Sequence, residues 1–514
     1  MLIVYHNKEV VTSIELNDLK LSFDKKKSLI EIVFQLSEVY SEEWVVWCDL
    51  RLRDFLNIGS FDEIFNDNRM LQSYSLDGTY IVSDNIHFID SSHFVNPNRN
   101  VRFASILMSS NVGGIHASIL NIVNRKKYLN DSFSYFLCSL SKQAMPEGLF
   151  CYSNPNLLRE YPKALKNDYK TDILLDYKFI RQHWKKRWLV MFFLNILFFQ
   201  RKLTLVPLLK SFFYQKRKLQ SGVFESTLNN SKKENNTPNS FDVIIPTIGR
   251  KDYLYDVLND LREQKLKPKK VIIVEQNADQ SAMSELDFLQ TENFPFVVKH
   301  IFIYRTGACN ARNIALNEIE SDWIFLADDD IRFSSTFLLD VKERIGSSKL
   351  GAFSVSCLQK DEKEETRGTI QSAIFGSANS FIINSVAKKC RFDLNLEHGY
   401  GEDTDFGMQI RNLGVDVYHM ADIQVFHLKA PVGGFRTKPI LPWHGDDIQP
   451  KPSPTVMIYN LKYLTKKQIQ GFKLQLAMKY YKFQSIKNPI KYLRKFNLQW
   501  ATSQFWAKKI MMDK

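Results

Sequence analysis

Blocks of apolar residues alternate with polar ones along the second half of the chain, beginning at Phe241. The runs FDVIIP, KKVIIV, HIFIY and WIFLA each have the length of a buried strand, and polar residues follow each of them. Between the first two runs, apolar residues recur at helical spacing, at Leu254, Val257, Leu258 and Leu261. This order predicts an α/β fold with a doubly wound, mostly parallel sheet. Ligands of such sheets bind at the carboxyl ends of the strands, where the polar residues lie.

The first 180 residues show the same strand-like runs and helical spacing less regularly. IEIVFQLSEVY is typical of a helix, and EEWVVWCDLRL is typical of a buried strand that ends in Asp49. We therefore predict a second α/β module at 1–180, without a usable catalytic signature. The polar stretch 221–240 predicts a flexible linker between this half and a domain at 241–455.

Positive charge changes this picture at two places. Residues 181–218 contain ten Lys or Arg and no acid, and residues 461–514 contain thirteen Lys or Arg and one acid. The whole chain carries +13, so the rest of it is net negative. Patches of this kind bind anionic membranes or nucleic acid. We expect an anionic membrane surface and regard nucleic acid as the less favoured partner.

The segment 181–220 is predicted to form basic amphipathic helices that lie in the membrane interface. Its first apolar run, WLVMFFLNILFF, has twelve residues, whereas a bilayer span needs roughly 20. Joining it to the next run would place Arg201 and Lys202 within the bilayer, at about 2.5 kcal/mol or more each. Burial between domains and a true span are the alternatives. Residues 456–514 are predicted to form a basic helical tail.

Composition sets broad limits on the class of protein. The 514 residues are 44% hydrophobic and 24% charged, which is ordinary for a folded soluble protein. The six cysteines contain no CxxC pair, which argues against a zinc ribbon or a disulfide framework. Scattered single cysteines are consistent with a reducing cytosol. The first residues lack the features of a signal peptide. We expect a cytoplasmic protein that associates peripherally with the inner face of the cell membrane.

The stretch FLADDDIRF ends an apolar run in three carboxylates, Asp328, Asp329 and Asp330. If the strand continues, Asp328 and Asp330 point to one side and Asp329 to the other. Two such carboxylates can hold one Mg²⁺ or Mn²⁺ ion, often together with substrate phosphates. Taken alone, the pattern is weak evidence for a metal, because it often occurs by chance and is more typical of a solvated turn with capping aspartates.

The surroundings of this stretch narrow the alternatives. FDVIIPTIGR, VIIVEQNADQ, GACNARN, IFLADDD, GYGEDTDFG and VFHLKAP follow one another in this order between 241 and 447. The set resembles the GT-A-fold glycosyltransferases of family 2. That resemblance implies an inverting transferase that moves a sugar from a nucleotide-diphosphate sugar to a glycan or lipid-linked acceptor, in surface polysaccharide synthesis. The first 180 residues resemble a degenerate GT-A domain more distantly, with an acceptor-binding or assembly module as the alternative.

The resemblance also implies roles for individual residues. It places Mn²⁺ or Mg²⁺ on Asp328 and Asp330, completed by His427, for which His444 is the rival. It makes Asp403 the general base and Glu402 an orienting residue for the acceptor, although both carboxylates could simply cap a helix. The residues that it places near the donor nucleotide are Thr247, Arg250, Glu275, Asn277, Arg312, Asp328 and Asp329. A mobile loop at Gly433 to Arg436 would close over the donor.

Two other functions remain open at this stage. A nucleotidyltransferase of related fold would need a phosphate-binding loop after the first strand, and TIGRKDY is a poor one. A non-catalytic carbohydrate-binding or scaffold protein of a polysaccharide assembly complex could keep the fold without the chemistry. Oligomerisation is left open as well.

Overall fold

The computed structural model describes residues 1–162, 165–167, 169, 172–224, 238, 240–346, 350–431 and 440–512. The loop predicted at Gly433 to Arg436 and most of the predicted linker 221–240 lie outside these residues. The chain divides into two compact units. The N-terminal unit consists of Met1–Ser231 and Leu464–Phe483, and the C-terminal unit consists of Lys232–Tyr463 and Gln484–Lys514.

The N-terminal unit is a mixed sheet with helices. Its strands are β1 Leu2–Asn7, β2 Val10–Leu16, β3 Leu19–Leu21, β4 Trp44–Asp49, β5 Met70–Tyr74, β6 Phe103–Ala104, β7 Val112–His116 and β8 Phe150–Ser153. Its helices, numbered in chain order, are α1 Leu29–Val39, α2 Phe61–Ile64, α3 Ala117–Ile122, α4 Phe133–Ala144, α5 Ile173–His183, α6 Arg187–Asn195 and α7 Leu205–Ser211, and later in the chain α15 Lys466–Tyr481.

The eight strands of this unit run in the order β3-β2-β1-β4-β7-β5-β8-β6. The pairs β1–β4 and β5–β8 are parallel, and the other neighbours are antiparallel. The predicted strand around Trp47 is β4, which is buried along its whole length. A second α/β module is therefore present in this half of the chain.

Helix α15 joins the N-terminal unit although it follows the C-terminal domain in sequence. A Cβ atom at Gly471 would lie 2.0 Å from the Phe88 carbonyl oxygen, so glycine permits this close approach. Gln468 donates from Nε2 to the Ser92 carbonyl at 2.8 Å. The segment predicted as a single tail at 456–514 is thus divided between the two units.

The C-terminal unit carries the predicted sequence of strands and helices. Its strands are β9 Phe241–Thr247, β10 Lys270–Gln276, β11 Val297–Ile303, β12 Trp323–Ala327, β13 Ile331–Arg332, β14 Ala352–Leu358, β15 Thr369–Gln371, β16 Asn379–Ile383 and β17 Tyr418–His427. Its helices are α8 Lys251–Arg262, α9 Phe288–Thr291, α10 Ala308–Ala315, α11 Phe337–Gly346, α12 Asn384–Ala387, α13 Glu402–Asn412, α14 Pro454–Tyr463 and α16 Pro489–Met512.

The sheet of this unit has the order β11-β10-β9-β12-β16-β14-β17-β13, and β15 pairs with β17. The first four strands are parallel, as predicted from their alternation with helices. Strand β16 is antiparallel to both of its neighbours, and β14 and β17 are again parallel. The predicted α/β fold class is confirmed, and the parallel region brings the exits of β9, β10 and β12 to one edge of the sheet.

Aromatic stacking fixes the register around β12. Phe325 stacks on Phe381 of β16 with ring centroids 4.5 Å apart, and Phe381 stacks on Phe353 of β14 at 5.3 Å. Such cross-strand pairs stabilise a sheet beyond the area that they bury. The stack holds the end of β12, and with it the three aspartates, at a fixed point of the edge.

A buried carboxylate fixes the other end of β12. Asp242 accepts hydrogen bonds from the Glu320 amide at 2.6 Å and from the Ser321 amide and hydroxyl at 2.9 and 2.6 Å. The Asp242 side chain is fully buried, so water could not replace its carboxylate as the acceptor for these donors. Asp242 therefore ties β9 to the turn that leads into β12.

We predict that Asp242→Ala lowers the free energy of unfolding by about 3 kcal/mol, because it leaves buried donors without an acceptor. Urea unfolding followed by fluorescence measures the change. The matched control is Glu263→Ala, an exposed acid at the end of α8, with an expected change within about 0.5 kcal/mol. Equal effects of the two substitutions would contradict the assignment.

Candidate active site

The three aspartates lie in the turn between β12 and β13, and each has a different set of partners. Asp329 is buried, and its carboxylate accepts from Thr247 Oγ1 at 2.7 Å and from Arg250 Nη1 at 2.6 Å. Burial raises the pKa of Asp329 to about 6, against the opposing charge of Arg250. Asp329 thus holds two of the residues that the sequence places near a nucleotide.

Asp328 and Asp330 form a cluster with His427 in which ligand atoms of all three lie within 4.8 Å of one another. The pairing of Ile331 in β13 with His427 in β17 brings the imidazole to this turn. His427 Nε2 lies 3.2 Å from Asp330 Oδ1. Asp329 is not part of this cluster, although Arg250 Nη1 approaches both Asp329 Oδ1 at 2.6 Å and Asp330 Oδ2 at 3.4 Å.

The cluster fits a hard divalent cation. The buried Oδ1 of Asp330 meets His427 Nε2 at 3.2 Å but forms no hydrogen bond of good geometry with a described residue, while its Oδ2 accepts from the Ala430 amide at 2.9 Å. A buried carboxylate oxygen that lacks a good hydrogen-bond donor has a lone pair that can bind a cation. Two carboxylates and one imidazole suit Mn²⁺ or Mg²⁺. Asp328, Asp330 and His427 would hold the ion.

The protonation states of this cluster are set by its own contacts. Burial opposes ionisation of Asp330, but the His427 and Ala430 donors outweigh it and lower the Asp330 pKa. The Asp330 carboxylate in turn raises the pKa of His427. A bound cation would compete with the imidazole proton, because only neutral imidazole is a ligand.

Arg312 connects the cluster to a second group of carboxylates. Its Nη2 donates to Asp328 Oδ1 at 2.8 Å, and the side chain is almost completely buried on α10. Burial disfavours its charge, yet Asp328 and Asp403 raise the pKa of Arg312 overall. Arg312 is therefore a fixed cation that pairs with Asp328 and is near enough to Asp403 for the two charges to interact.

Glu402 and Asp403 form the first turn of α13, as expected from the pattern. Gly401 precedes them with φ of 112°, a left-handed conformation that glycine adopts without strain. Asp403 Oδ1 accepts from the Ser377 amide at 3.1 Å. Burial raises the pKa of Asp403 against the pull of Arg312, and burial together with the Asp403 charge raises that of Glu402 to about 7.

The carboxylate of Glu275, at the end of β10, already accepts hydrogen bonds from other residues of the protein. Glu275 accepts from Ser284 Oγ at 2.6 Å, from the Glu285 amide at 2.9 Å and from His300 Nε2 at 2.9 Å. Asn277 follows it at the exit of β10, and its side-chain oxygen accepts from the Asp279 amide at 3.0 Å. These contacts shape the loop after β10, where the sequence places the nucleotide.

Two functional neighbours escaped the sequence patterns. Ser377 holds Asp403 through its backbone amide, which any residue could supply. Glu397 accepts from the Cys309 and Asn310 amides at 3.0 and 2.8 Å, so it caps α10 from a loop remote in sequence. A Cβ atom at residue 307 would lie 2.3 Å from the Glu397 carboxyl carbon, which explains Gly307. Neither residue has a local sequence signal.

The rival histidine has a different place. His444 Nδ1 accepts from the Leu441 amide at 3.3 Å within its own turn. Among the described residues, the cluster suited to a metal contains His427 and not His444.

We predict that Asp330→Asn weakens Mn²⁺ binding by about tenfold or more, because it removes the buried anionic ligand. Electron paramagnetic resonance of free Mn²⁺, titrated with protein, measures the dissociation constant. Asp340→Asn, an exposed acid on α11, serves as the control and should bind Mn²⁺ like the wild type. Equal binding by both variants would rule out the cluster.

The sequence model of the family described as "Glycosyl transferase family 2" matches residues 242–395. No curated protein is significantly similar to the chain in sequence. The match contains the turn with the three aspartates and Arg312, and it ends before α13.

Solved structures resemble this chain with low sequence identity and low TM-scores. S. aureus TarS residues 1–349 is 18% identical, with 37% of this chain and 60% of that chain covered and a TM-score of 0.31. The same TarS fragment in complex with UDP-GlcNAc is 17% identical over 50% of this chain and 71% of that chain, with a TM-score of 0.33. GalNAc-T7 with UDP, GalNAc and Mn²⁺ is 11% identical over 55% and 58%, with a TM-score of 0.37.

The chain spans about three fifths of the first of these relatives. The family match is thus confined to the C-terminal unit, where it coincides with β9 to β16 and the turn after β12. Residues 242–395 match the model of glycosyl transferase family 2, and they form most of the α/β sheet of the C-terminal unit.

Proposed function

We propose that the domain at 241–455 transfers a sugar from a nucleotide-diphosphate sugar to an acceptor hydroxyl with inversion. The observation that carries the proposal is the buried Arg312, which donates to Asp328 of the metal-type cluster and whose charge also acts on Asp403 of the second carboxylate group. A leaving-group site and a base site would then share one fixed cation. This is the arrangement that a displacement reaction needs.

The first group would hold the leaving diphosphate. Mn²⁺ or Mg²⁺ on Asp328, Asp330 and His427 would neutralise the charge that develops on the diphosphate as the glycosidic bond breaks. Arg312 and Arg250 add fixed positive charge near the same turn. The low pKa of Asp330 keeps its carboxylate ionised for this role.

The donor contacts proposed from the sequence fall into two kinds. Asp329 orients Thr247 and Arg250, so its effect on the donor passes through them. Glu275 and Asn277 shape the loop after β10, which would place the nucleobase. Arg312 and Asp328 remain the candidates for direct contact with the phosphates or sugar.

The second group would activate the acceptor. Asp403 would take the proton of the acceptor hydroxyl as its oxygen attacks the anomeric carbon opposite the diphosphate. A carboxylate with a raised pKa is the better base, provided that it is ionised, and Arg312 favours the ionised form. Glu402 would orient the acceptor from the neighbouring position.

We predict that Asp403→Asn lowers kcat by about 100-fold or more while donor binding changes little, because only the proton acceptor is lost. Transfer assays and isothermal titration with the same nucleotide-sugar separate the two effects. Loss of donor binding without a loss of kcat would assign Asp403 to the donor.

The pH profile provides a second check on this base. Asp403 acts in its ionised form, and its pKa is raised, so wild-type kcat/KM should fall as pH drops through a value above the ordinary range of aspartate. The residual activity of Asp403→Asn should lack that acid limb. A limb that persists unchanged in the variant would assign it to another group.

We propose further that the acceptor is a lipid-linked glycan in polysaccharide synthesis and that the chain binds the cytoplasmic face of an anionic membrane. No helix among the described residues is both long enough and apolar enough to span a bilayer. The segment 181–220 instead divides its apolar residues. Leu189, Phe192 and Ile196 pack in the core of the N-terminal unit, whereas another set faces outward.

The outward set gives this segment the character of an interfacial anchor. Its exposed large apolar residues are Val190, Phe198, Leu203, Leu205, Val206, Leu209, Phe212 and Phe213. Phe213 is 88% exposed, and Arg201, Lys202 and Lys210 lie among these residues without an acid. Apolar side chains flanked by lysine and arginine match an anionic headgroup layer.

We predict that the double substitution Leu209→Ser and Phe213→Ser reduces binding to phosphatidylserine vesicles at least tenfold, because each apolar side chain contributes about 1.5 kcal/mol or more on burial. Co-sedimentation measures the bound fraction. Met283→Ser, at an 84% exposed position of the C-terminal unit, controls for general loss of apolar surface. Unchanged binding of the double variant would exclude this anchor.

A further inference from the structure

The strand topology of the N-terminal unit repeats that of the C-terminal unit. In both, a central strand lies parallel to the next one, β1 beside β4 and β9 beside β12. Beyond these strands, the orders β4-β7-β5-β8 and β12-β16-β14-β17 follow with the same directions, antiparallel, antiparallel and parallel. The strands also occur in the same chain order. The short strands β6 and β15 pair antiparallel with β8 and β17.

The helices follow the same correspondence. Helix α1 precedes β4 as α10 precedes β12, and α3 follows β7 as α12 follows β16. Helix α4 precedes β8 as α13 precedes β17. The difference lies at the other edge, where the hairpin β2–β3 stands in place of the parallel strands β10 and β11. The N-terminal unit is thus a second copy of the core fold without the edge that would hold a nucleobase.

The register identifies the counterparts of the metal ligands. Trp44 pairs with the last residue of β7, and Trp323 pairs with the last residue of β16. Counting from these tryptophans, Asp49 stands where Asp328 stands and Arg51 stands where Asp330 stands. A carboxylate of the metal-type cluster has therefore been replaced by a guanidinium.

The guanidinium fills the position that a cation would take. Arg51 Nε and Nη2 donate to Asp49 Oδ1 and Oδ2 at 2.9 and 2.8 Å, and the Arg51 amide donates to Oδ1 at 3.0 Å. Asp49 is nearly fully buried, so this two-point pair neutralises it inside the fold. Both oxygens of Asp49 accept from Arg51, whereas Asp330 Oδ1 faces the His427 imidazole at 3.2 Å without a hydrogen bond of good geometry.

The counterpart of the base is also changed. Ser134 is the second residue of α4, as Asp403 is the second residue of α13, and Ser110 lies two residues before β7, as Ser377 lies two before β16. Ser134 Oγ donates to Glu9 Oε1 at 2.5 Å and lies 2.8 Å from Ser110 Oγ, whereas Asp403 accepts from the Ser377 amide. Serine has no basicity at neutral pH, so Ser134 cannot act as the proton acceptor that Asp403 is proposed to be.

The protein's own side chains fill the space around these positions. Glu9 accepts from the Phe133 and Ser134 amides at 2.8 Å each, at the start of α4. Tyr169 lies within 2.8 Å of Ser110 Oγ and 2.9 Å of Ser134 Oγ through its hydroxyl. Lys166 offers its carbonyl to Arg51 Nη1 at 3.3 Å. The edge that binds ligands in such sheets is thus closed from within.

We infer that the N-terminal unit is a duplicated glycosyltransferase fold whose active site has become a structural element, with Arg51 in place of the metal ion and Ser134 in place of the base. Each chain then has one metal and donor site, in the C-terminal unit. The inference rests on the proposed function only in its statement that the C-terminal unit is the active one. Asp49 and Arg51 are a stabilising pair and take no part in transfer.

The test combines a metal count with a stability measurement on the full chain. Electron paramagnetic resonance with Mn²⁺ and UDP should give one bound Mn²⁺ per wild-type chain and none at the same concentrations for Asp330→Asn. Two ions per wild-type chain, or one that survives in Asp330→Asn, would overturn the inference.

The second measurement does not depend on the nucleotide chosen. Asp49→Asn should lower the thermal unfolding midpoint in EDTA by about 2–4 °C, because Arg51 loses its buried partner, and it should leave Mn²⁺ binding unchanged. An unchanged or raised midpoint, or weaker Mn²⁺ binding, would make Asp49 a ligand site instead. If the wild type binds no Mn²⁺ at all, the proposed metal function fails while the effect of Asp49→Asn on stability still decides the inference.

Discussion

The C-terminal unit depends on neutralising three consecutive carboxylates at the end of a core strand. Burying even one unpaired carboxylate costs several kcal/mol, so a turn of three is stable only if each finds its own partner. Asp329 is held by Thr247 and Arg250, Asp328 by Arg312, and Asp330 by the backbone of the segment after β17. The sheet order is what brings the exit of β9, the helix α10 and the end of β17 to this one turn.

The same neutralisation separates the carboxylates into chemical classes. Asp330 keeps a low pKa because His427 and an amide face it, which suits a cation ligand. Asp403 and Glu402 lie in a desolvated place beside each other, and their pKa values are raised, which suits proton transfer. Arg312 pairs with Asp328, and its charge limits how far the pKa of Asp403 can rise. The environment rather than the residue type thus sets the pKa of each carboxylate.

In the N-terminal unit, the carboxylate of the corresponding turn is neutralised in a different way. Replacing one carboxylate of the turn by Arg51 satisfies Asp49 internally, so no cation is needed to balance the charge. The fold is retained because its strand order depends on buried apolar strands such as β4 and β7. Part of the segment 181–220 packs on that core, and its remaining apolar residues face outward with lysine and arginine.

The sequence by itself determined the elements of the C-terminal unit and where its candidate site residues fall within them. Apolar runs and helical spacing are local properties, so they indicated β9, β10, β12 and α13 and placed Asp328, Asp330 and Asp403 at element ends. Which partner each carboxylate has was decided only by the tertiary structure, because Glu397, Ser377 and Arg250 reach the site from distant parts of the chain. The division of the tail 456–514, with α15 in the N-terminal unit and α16 in the C-terminal unit, was decided there too. Both helices have the basic composition of a tail, and only a close approach such as that of Gly471 to Phe88 shows where each one packs.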